Sequence, residues 1–282
     1  MTELDRRLYA FRSDLADERL RGRVAAGRFA AGTPAAVAVP VADIKAAPSP
    51  EAGVDSQLLL GDAVVVFDKK DGWAWIQSVR DAYVGYVRAD ALAEHAAAPT
   101  HVVAAPRSFV FSRDDLKSPR VEALSMGSGV VVSGHAETRG TRYALLAGGG
   151  AMIAAHLSPA GQHASDYVSV AETLEQTPYL WGGTSGFGLD CSGLVQLAMR
   201  MAGGNAPRDT DMQERAFAPV NPAGLRRGDL VFWKGHVAVM LDAGNVIHAN
   251  GHTMLVSRET LAEAIGRIEP VHGVPTSCRR PQ

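Results

Sequence analysis

Cys191 stands in Asp190-Cys191-Ser192-Gly193 and is one of two cysteines in the chain. A glycine-rich loop from Pro178 to Leu189 runs into it, and Leu194, Leu197, Ala198 and Met201 follow on one side of an amphipathic pattern that Gly203-Gly204 ends. The spacing predicts a helix that starts at Cys191 and is capped by Asp190, whose side-chain oxygen takes a backbone N–H of the first turn. A thiol placed there meets the positive end of the helix dipole, so its pKa is expected to fall and thiolate to form. The unpaired N–H groups of the same turn, that of Cys191 included, could act as an oxyanion hole. Cys278 lies in Thr276-Ser277-Cys278-Arg279-Arg280 near the C-terminus and reads as an inert tail thiol.

A nucleophilic thiol needs a base. His236-Val237-Ala238-Val239-Met240-Leu241 and Asn245-Val246-Ile247-His248 flank Asp242-Ala243-Gly244. A three-residue hairpin loop usually closes with a left-handed glycine at its third place, here Gly244. That register pairs Leu241 with Asn245 and Ala238 with His248. His236 then falls diagonally from His248 on the same face, with the α-carbons about 7–8 Å apart. A loop of two or four residues would separate the histidines onto opposite faces. The arrangement predicts His236 as general base for Cys191 and His248 as the group that orients it.

Other chemistries fit the sequence poorly. His248 and His252 form H-x-x-x-H, but Asn250-Gly251 breaks any helix there and the glutamate of a metalloprotease motif is missing. The glycines from Gly182 to Gly188 lack the Lys-Ser/Thr ending of a phosphate loop. Neither a metal nor a nucleotide cofactor is expected.

The elements that must hold these residues begin at about residue 165. Tyr167 to Gln176 reads as helix, and Asp229–Trp233, His236–Leu241 and Val246–Ala249 read as strands, giving an α+β domain over 161–282. Residues 1–30 place Leu8, Phe11, Leu15 and Leu20 at helix-like spacing and predict a short helical lead-in.

Between these regions the chain repeats itself. Leu58-Leu59-Leu60-Gly61-Asp62-Ala63-Val64-Val65-Val66 recurs 66 positions later as Leu124-Ser125-Met126-Gly127-Ser128-Gly129-Val130-Val131-Val132. Each copy continues with two β-like runs and a terminal leucine, Leu92 or Leu157. Two small β-barrels over 31–95 and 96–160 are the expected reading, with one irregular β-sandwich as the alternative. The turn glycine before a valine strand and the closing Gly85-Tyr86-Val87 resemble bacterial SH3 (SH3b) domains.

The 282 residues are 46% hydrophobic and 21% charged, with a net charge of -2 and a pI near 6.5. That is enough apolar material for a core, without the basic excess that nucleic acid or an anionic membrane requires. Neither nucleic acid nor membrane is an expected partner, and the oligomeric state is left open. The charged run from Met1 to Val24 lacks the apolar stretch of a secretory signal, so a cytoplasmic location is expected.

At the residue level the C-terminal part resembles the NlpC/P60 cysteine peptidases. The resemblance is carried by Thr177-Pro178-Tyr179-Leu180-Trp181-Gly182-Gly183, by Asp190-Cys191-Ser192-Gly193-Leu194, by Arg226-Arg227-Gly228-Asp229-Leu230-Val231-Phe232-Trp233, by Gly235-His236-Val237-Ala238-Val239 and by His248-Ala249. It implies a papain-like fold, with Cys191 as nucleophile, His236 as base, His248 as third polar residue and Tyr179 lining the site. Together with two SH3b domains, it is similar to the γ-D-glutamyl-L-diamino acid endopeptidases of wall-peptide recycling. Those cut between D-Glu and the diamino acid of peptides with a free N-terminal L-Ala, and their first SH3b domain helps to bind the ammonium. By the same resemblance Asp209 and Thr210 would hold that amine, Asp190 and Ser192 would line the site, and Asp55 and Tyr83 would contribute from the first SH3b domain. A solvated loop acid and a barrel-core tyrosine are the plain alternatives for that last pair. The expected activity is therefore a cysteine endopeptidase acting on L-Ala-γ-D-Glu-diamino acid peptides, with diaminopimelate or lysine at the scissile bond. An exported wall-remodelling hydrolase and a non-catalytic wall-peptide binding protein are the rivals.

Overall fold

The two copies of the Leu-Gly-Val pattern fold alike in the computed structural model, which describes residues 4–94 and 96–281. Gly61 and Gly127 both turn the chain with left-handed φ values of 83° and 87°, a conformation that costs a side-chain-bearing residue energy and glycine little. In the first copy the strands lie in the order Val54–Leu59, Val41–Lys45, Val84–Arg88, Trp73–Ser78, Ala63–Lys70, Thr33–Val37, Leu92–Ala93. In the second, Arg120–Ser125, Arg107–Phe111, Ala151–Ile153, Thr141–Leu146 and Val132–Thr138 repeat the first five places. The last three are echoed by Gly129–Val130, His101–Val103 and Leu157–Pro159. A single 3-10 turn precedes the closing leucine in both, at Ala89–Ala91 and Ala154–His156. Val103, Val110, Leu124, Val130 and Met152 fill the second core.

The lead-in departs from its expected form. Residues 4–30 hold a parallel pair of short strands, Leu15–Asp17 and Arg28–Ala30, and a 3-10 turn at Glu18–Leu20 in place of the expected helix. Ala10 and Leu15 pack against Phe67 and Trp75 of the first barrel. Arg12 lies over Trp75 at 4.4 Å and pairs with Asp68 at 2.7 Å. The apolar residues at helical spacing gain more from covering an existing sheet than from a lone helix, which is marginal at this length.

The chain divides into two units, Met1–Ala160 and Gly161–Gln282. The second unit has four helices among its described residues, α1 (Tyr167–Thr173), α2 (Cys191–Met201), α3 (Thr210–Ala216) and α4 (Leu261–His272). Besides a short hairpin of Thr184–Ser185 and Gly188–Leu189, its strands are β1 (Ala218–Pro219), β2 (Leu230–Trp233), β3 (His236–Met240), β4 (Asn245–Asn250), β5 (Leu255–Thr260) and β6 (Ser277–Arg280). They form one antiparallel sheet in the order β1-β6-β2-β3-β4-β5. The strands read as nearly unbroken apolar runs because both faces are covered. Ala264 and Ile268 of α4 pack on Val231, Trp233, Ala238, Met240 and Val246. The alternate residues Val237, Val239, Ile247 and Ala249 are also buried, and α2 lies against β3 and β4. No described helix is long and apolar enough to cross a membrane.

Candidate active site

Helix α2 starts at Cys191 with Asp190 as its cap, the carboxylate taking the N–H of Gly193 at 2.7 Å. Its other oxygen takes the N–H of Gly182 at 3.0 Å, so one side chain ties the glycine-rich loop to the helix start. The fit is close enough to dictate a residue type, since a Cβ on Gly193 would stand 2.1 Å from the carbonyl oxygen of Gly183. Gly203 stops the helix in a left-handed conformation with φ 78°, as the sequence predicts.

The thiol rests against the backbone on both sides of His236. Its sulfur is 4.0 Å from the carbonyl oxygen of Gly235, and the N–H groups of Val237 and Ser192 approach it. The expected thiolate is not what this setting favours. Burial first, and then the charge of Asp190, push the Cys191 thiol up to about 12, against the help of those two N–H groups and of Arg208. A helix N-terminus worth about 0.3–2 kcal/mol does not offset the dehydration of a buried anion. A thiol in this setting could act as a nucleophile only by handing its proton to a base as it attacks.

The two expected histidines do come together. Leu241 and Asn245 pair, with the Leu241 N–H donating to the Asn245 carbonyl at 2.8 Å. Val239 lies opposite Ile247 and Met240 opposite Val246, the predicted register. His236 Nε2 and His248 Nδ1 are 2.9 Å apart, with ring centroids 5.0 Å apart. The turn reaches this register by other means than a left-handed Gly244. Gly244 is absent from the left-handed glycines, and Asp242 Oδ1 takes the N–H groups of Gly244 and Asn245 at 2.8 and 2.9 Å. Its carboxylate also accepts from the Asn245 side-chain amide. An Asx turn does the work assigned to glycine flexibility. His236 is partly buried and His248 wholly so. Loss of hydration first, and then electrostatic repulsion from the side of His248, Arg267 and His272, lowers His236 to about 3, opposed by Glu259. The ring is therefore neutral near pH 7, the state a proton acceptor needs.

Tyr179 sits close to the thiol. Its N–H donates to the Met254 carbonyl at 2.8 Å, anchoring the loop beside β5. Burial and the nearby charges of Cys191 and Asp190 raise its hydroxyl to about 12, so it remains a donor. Asp190 and Ser192 are both buried and are held by Arg208, itself 1% exposed. Arg208 reaches Asp190 at 3.0 and 2.5 Å and the Ser192 hydroxyl at 2.9 Å. Gln213 of α3 donates to the Ser192 carbonyl at 3.1 Å and to that of Pro207 at 2.8 Å. Asp209 and Thr210, at the cap and first residue of α3, are partly buried between these two ties. Sequence reasoning missed Arg208 and Gln213 as members of this network, although both lie in the quoted Pro207–Gln213 segment. Asp55, on strand Val54–Leu59, and Tyr83, 5% exposed, lie in the N-terminal unit.

Cys278 is in the middle of β6, opposite Val231 and packed in the core beneath α4, where it is no tail residue. Burial raises its thiol as well. No described His, Cys, Asp and Glu side chains cluster in a way that could hold a metal.

Comparison with known proteins adds to this geometry. Residues 176–266 match the NlpC/P60 family, and residues 44–92 match the bacterial dipeptidyl-peptidase SH3 domain. The γ-D-glutamyl-L-lysine dipeptidyl-peptidase of Bacillus cereus is 38% identical over 94 residues, and that of Bacillus subtilis is 34% identical over 110. These matches take in 30% and 36% of this chain but only 28% and 37% of those proteins. Dipeptidyl-peptidase 6 of Lysinibacillus sphaericus is 27% identical over 74% of this chain and 85% of its own. An NlpC/P60 family protein of Bacillus cereus shares the fold, with a TM-score of 0.72 at 22% identity over 88% of this chain and 99% of that one.

Proposed function

The chain joins an NlpC/P60 domain to a bacterial SH3 domain, and from that pairing we propose that it is a cysteine endopeptidase of peptidoglycan peptides. In this reading the bond cut is that between γ-D-Glu and the diamino acid in peptides with a free N-terminal L-Ala. The observation that supports the reading is the place of the Cys191 thiol, against the backbone of Gly235 and Val237 on either side of His236, whose ring is neutral near pH 7 and has Nε2 2.9 Å from His248 Nδ1. A buried binding site has no need of a thiol, a neutral base and an orienting group in series. The names of the relatives, which are dipeptidyl-peptidases acting at γ-D-glutamyl-L-lysine, support the substrate class.

The sulfur attacks the γ-carbonyl carbon while His236 takes the thiol proton. The C–N bond then breaks, His236 passes its proton to the leaving amine, and a thioester remains on Cys191. Water, deprotonated by His236, attacks the thioester, frees the dipeptide acid and restores the thiol. In this reading Tyr179 and the N–H groups of the α2 start stabilise the oxyanion. Asp209 and Thr210 supply the carboxylate and hydroxyl that a buried ammonium requires. The second barrel, with its repeated strand order, is proposed as a second SH3b domain, and recycling in the cytoplasm as the setting.

The test is incubation with L-Ala-γ-D-Glu-diaminopimelate, the lysine peptide, the N-acetylated peptide and intact sacculi. Cleavage confined to the free-amine peptides is expected. Cleavage of sacculi would replace recycling with wall remodelling, and inert peptides with an unreactive Cys191 would leave a binding protein.

A further inference from the structure

The polar contacts do not stop at His248. Strand β5 pairs with β4 so that Glu259 lies opposite Val246 and Ser257 opposite His248. Glu259 is thus the diagonal neighbour of His248 on the face that also carries His236, and the three residues step across β3, β4 and β5. Glu259 Oε1 is 2.7 Å from His248 Nε2. The approach is oblique to the ring and makes no linear hydrogen bond. From the far side, Arg267 of α4 pairs with the same carboxylate. Burial opposes the charge on Glu259, but His248 and Arg267 outweigh it and bring the group down to about 2. At neutral pH it is a carboxylate, which only accepts.

The polarity of the chain follows from counting protons. A carboxylate oxygen 2.7 Å from an imidazole nitrogen repels a lone pair there, so Nε2 of His248 carries the hydrogen. A neutral ring has one such hydrogen, and Nδ1 of His248 is then an acceptor. The 2.9 Å contact to His236 Nε2 requires a donor, so His236 holds its hydrogen on Nε2 and keeps a lone pair on Nδ1.

We infer that Glu259 is a positioning residue that, through His248, fixes the tautomer of His236 in which Nδ1 is free to take the Cys191 proton. Arg267 in turn holds the Glu259 carboxylate in place. The inference rests on the peptidase reading for its consequence in catalysis, but its first test needs no substrate.

Long-range proton–nitrogen NMR correlation of the full chain at pH 7.5, assigned with single histidine substitutions, reads the tautomers directly. His236 and His248 are both expected as neutral rings protonated at Nε2. An Nδ1-protonated ring at either position, or a doubly protonated His248, reverses the polarity and overturns the inference, whether or not any variant folds. In E259Q the amide offers a donor as well as an acceptor, and the tautomers are expected to mix. The kcat on the free-amine peptide should fall about 10–100-fold, the size seen when a group that orients a metal-bound histidine is removed, with KM within about twofold. Partial recovery of kcat is expected in E259D. Pure wild-type tautomers and unchanged kcat in E259Q would overturn the assignment. Wild-type protein that cleaves no peptide yet shows both Nε2–H rings would remove the peptidase reading and leave the tautomer assignment standing.

Discussion

Cys191 and Cys278 are both buried, at 7% and 6% exposure, and burial raises the pKa of both. Neither burial nor acidity distinguishes the proposed nucleophile from the core thiol. The difference lies in what surrounds the sulfur. Cys278 is enclosed by Val231, Trp233 and Ile268, among others. Cys191 meets the start of α2, the backbone beside His236, and the Asp190–Arg208 pair. A thiol that is not ionised at rest is useful only where a neutral base and polar N–H groups stand ready for the moment of attack.

The contrast can be broken most sharply by exchanging the two positions. C191A should lower kcat on the free-amine peptide by at least about 10⁴-fold, as loss of a nucleophile does elsewhere, while C278A keeps wild-type kcat. Comparable losses in the two variants would end the distinction.

Arg208 should come next in size. R208M leaves Asp190 buried without its cation, an error worth about 3–5 kcal/mol in urea unfolding, and removes a positive charge that favours the thiolate. In R208K the charge is kept but the two-pronged contact is lost, so an intermediate stability is expected. Equal stability of R208M and wild type would show that the pair does not hold the site.

A smaller effect appears on acidification. His236 is lowered from 6.5 to about 3 in the fold. Between those values the unfolded chain binds a proton that the native chain refuses, so stability is present above pH 6.5 and falls as pH drops toward 3. Glu259 acts in the same direction between 4.5 and about 2. Urea midpoints at pH 7 and pH 4.5 should differ more in wild type than in H236Q. An equal pH response would contradict a neutral, shielded His236.

The smallest change belongs to the core thiol. C278A should cost about 1–2 kcal/mol through a small cavity under α4, with the activity untouched. A drop in kcat there would show that the core of the sheet, and not the setting of Cys191, governs turnover.

Local rules made much of the site legible in the sequence. Asp190, Cys191 and Gly203 fix the start and end of α2 by capping chemistry, and the loop length between His236 and His248 fixes their shared face. The turn itself was read through Gly244, while Asp242 closes it, because Asp and Gly answer the same geometric need by different means. Residues whose place depends on distant packing were not legible. Glu259 reaches His248 only through the pairing of β4 with β5, and Arg208 reaches Asp190 only once α3 lies near the start of α2. The lead-in was misread for the same reason, since Leu15 is satisfied by Phe67 and Trp75 of another segment. The thiol pKa was expected to fall because the dipole is visible in the sequence and the degree of burial is not.

Trapping tests covalent chemistry at Cys191 most directly. Protein mixed with the free-amine peptide, quenched in acid within milliseconds to seconds and examined by mass spectrometry after digestion, should carry the acyl dipeptide on the Cys191 fragment and none on the Cys278 fragment. Hydrolysis of the peptide with no adduct on Cys191, and persisting in C191A, would contradict it.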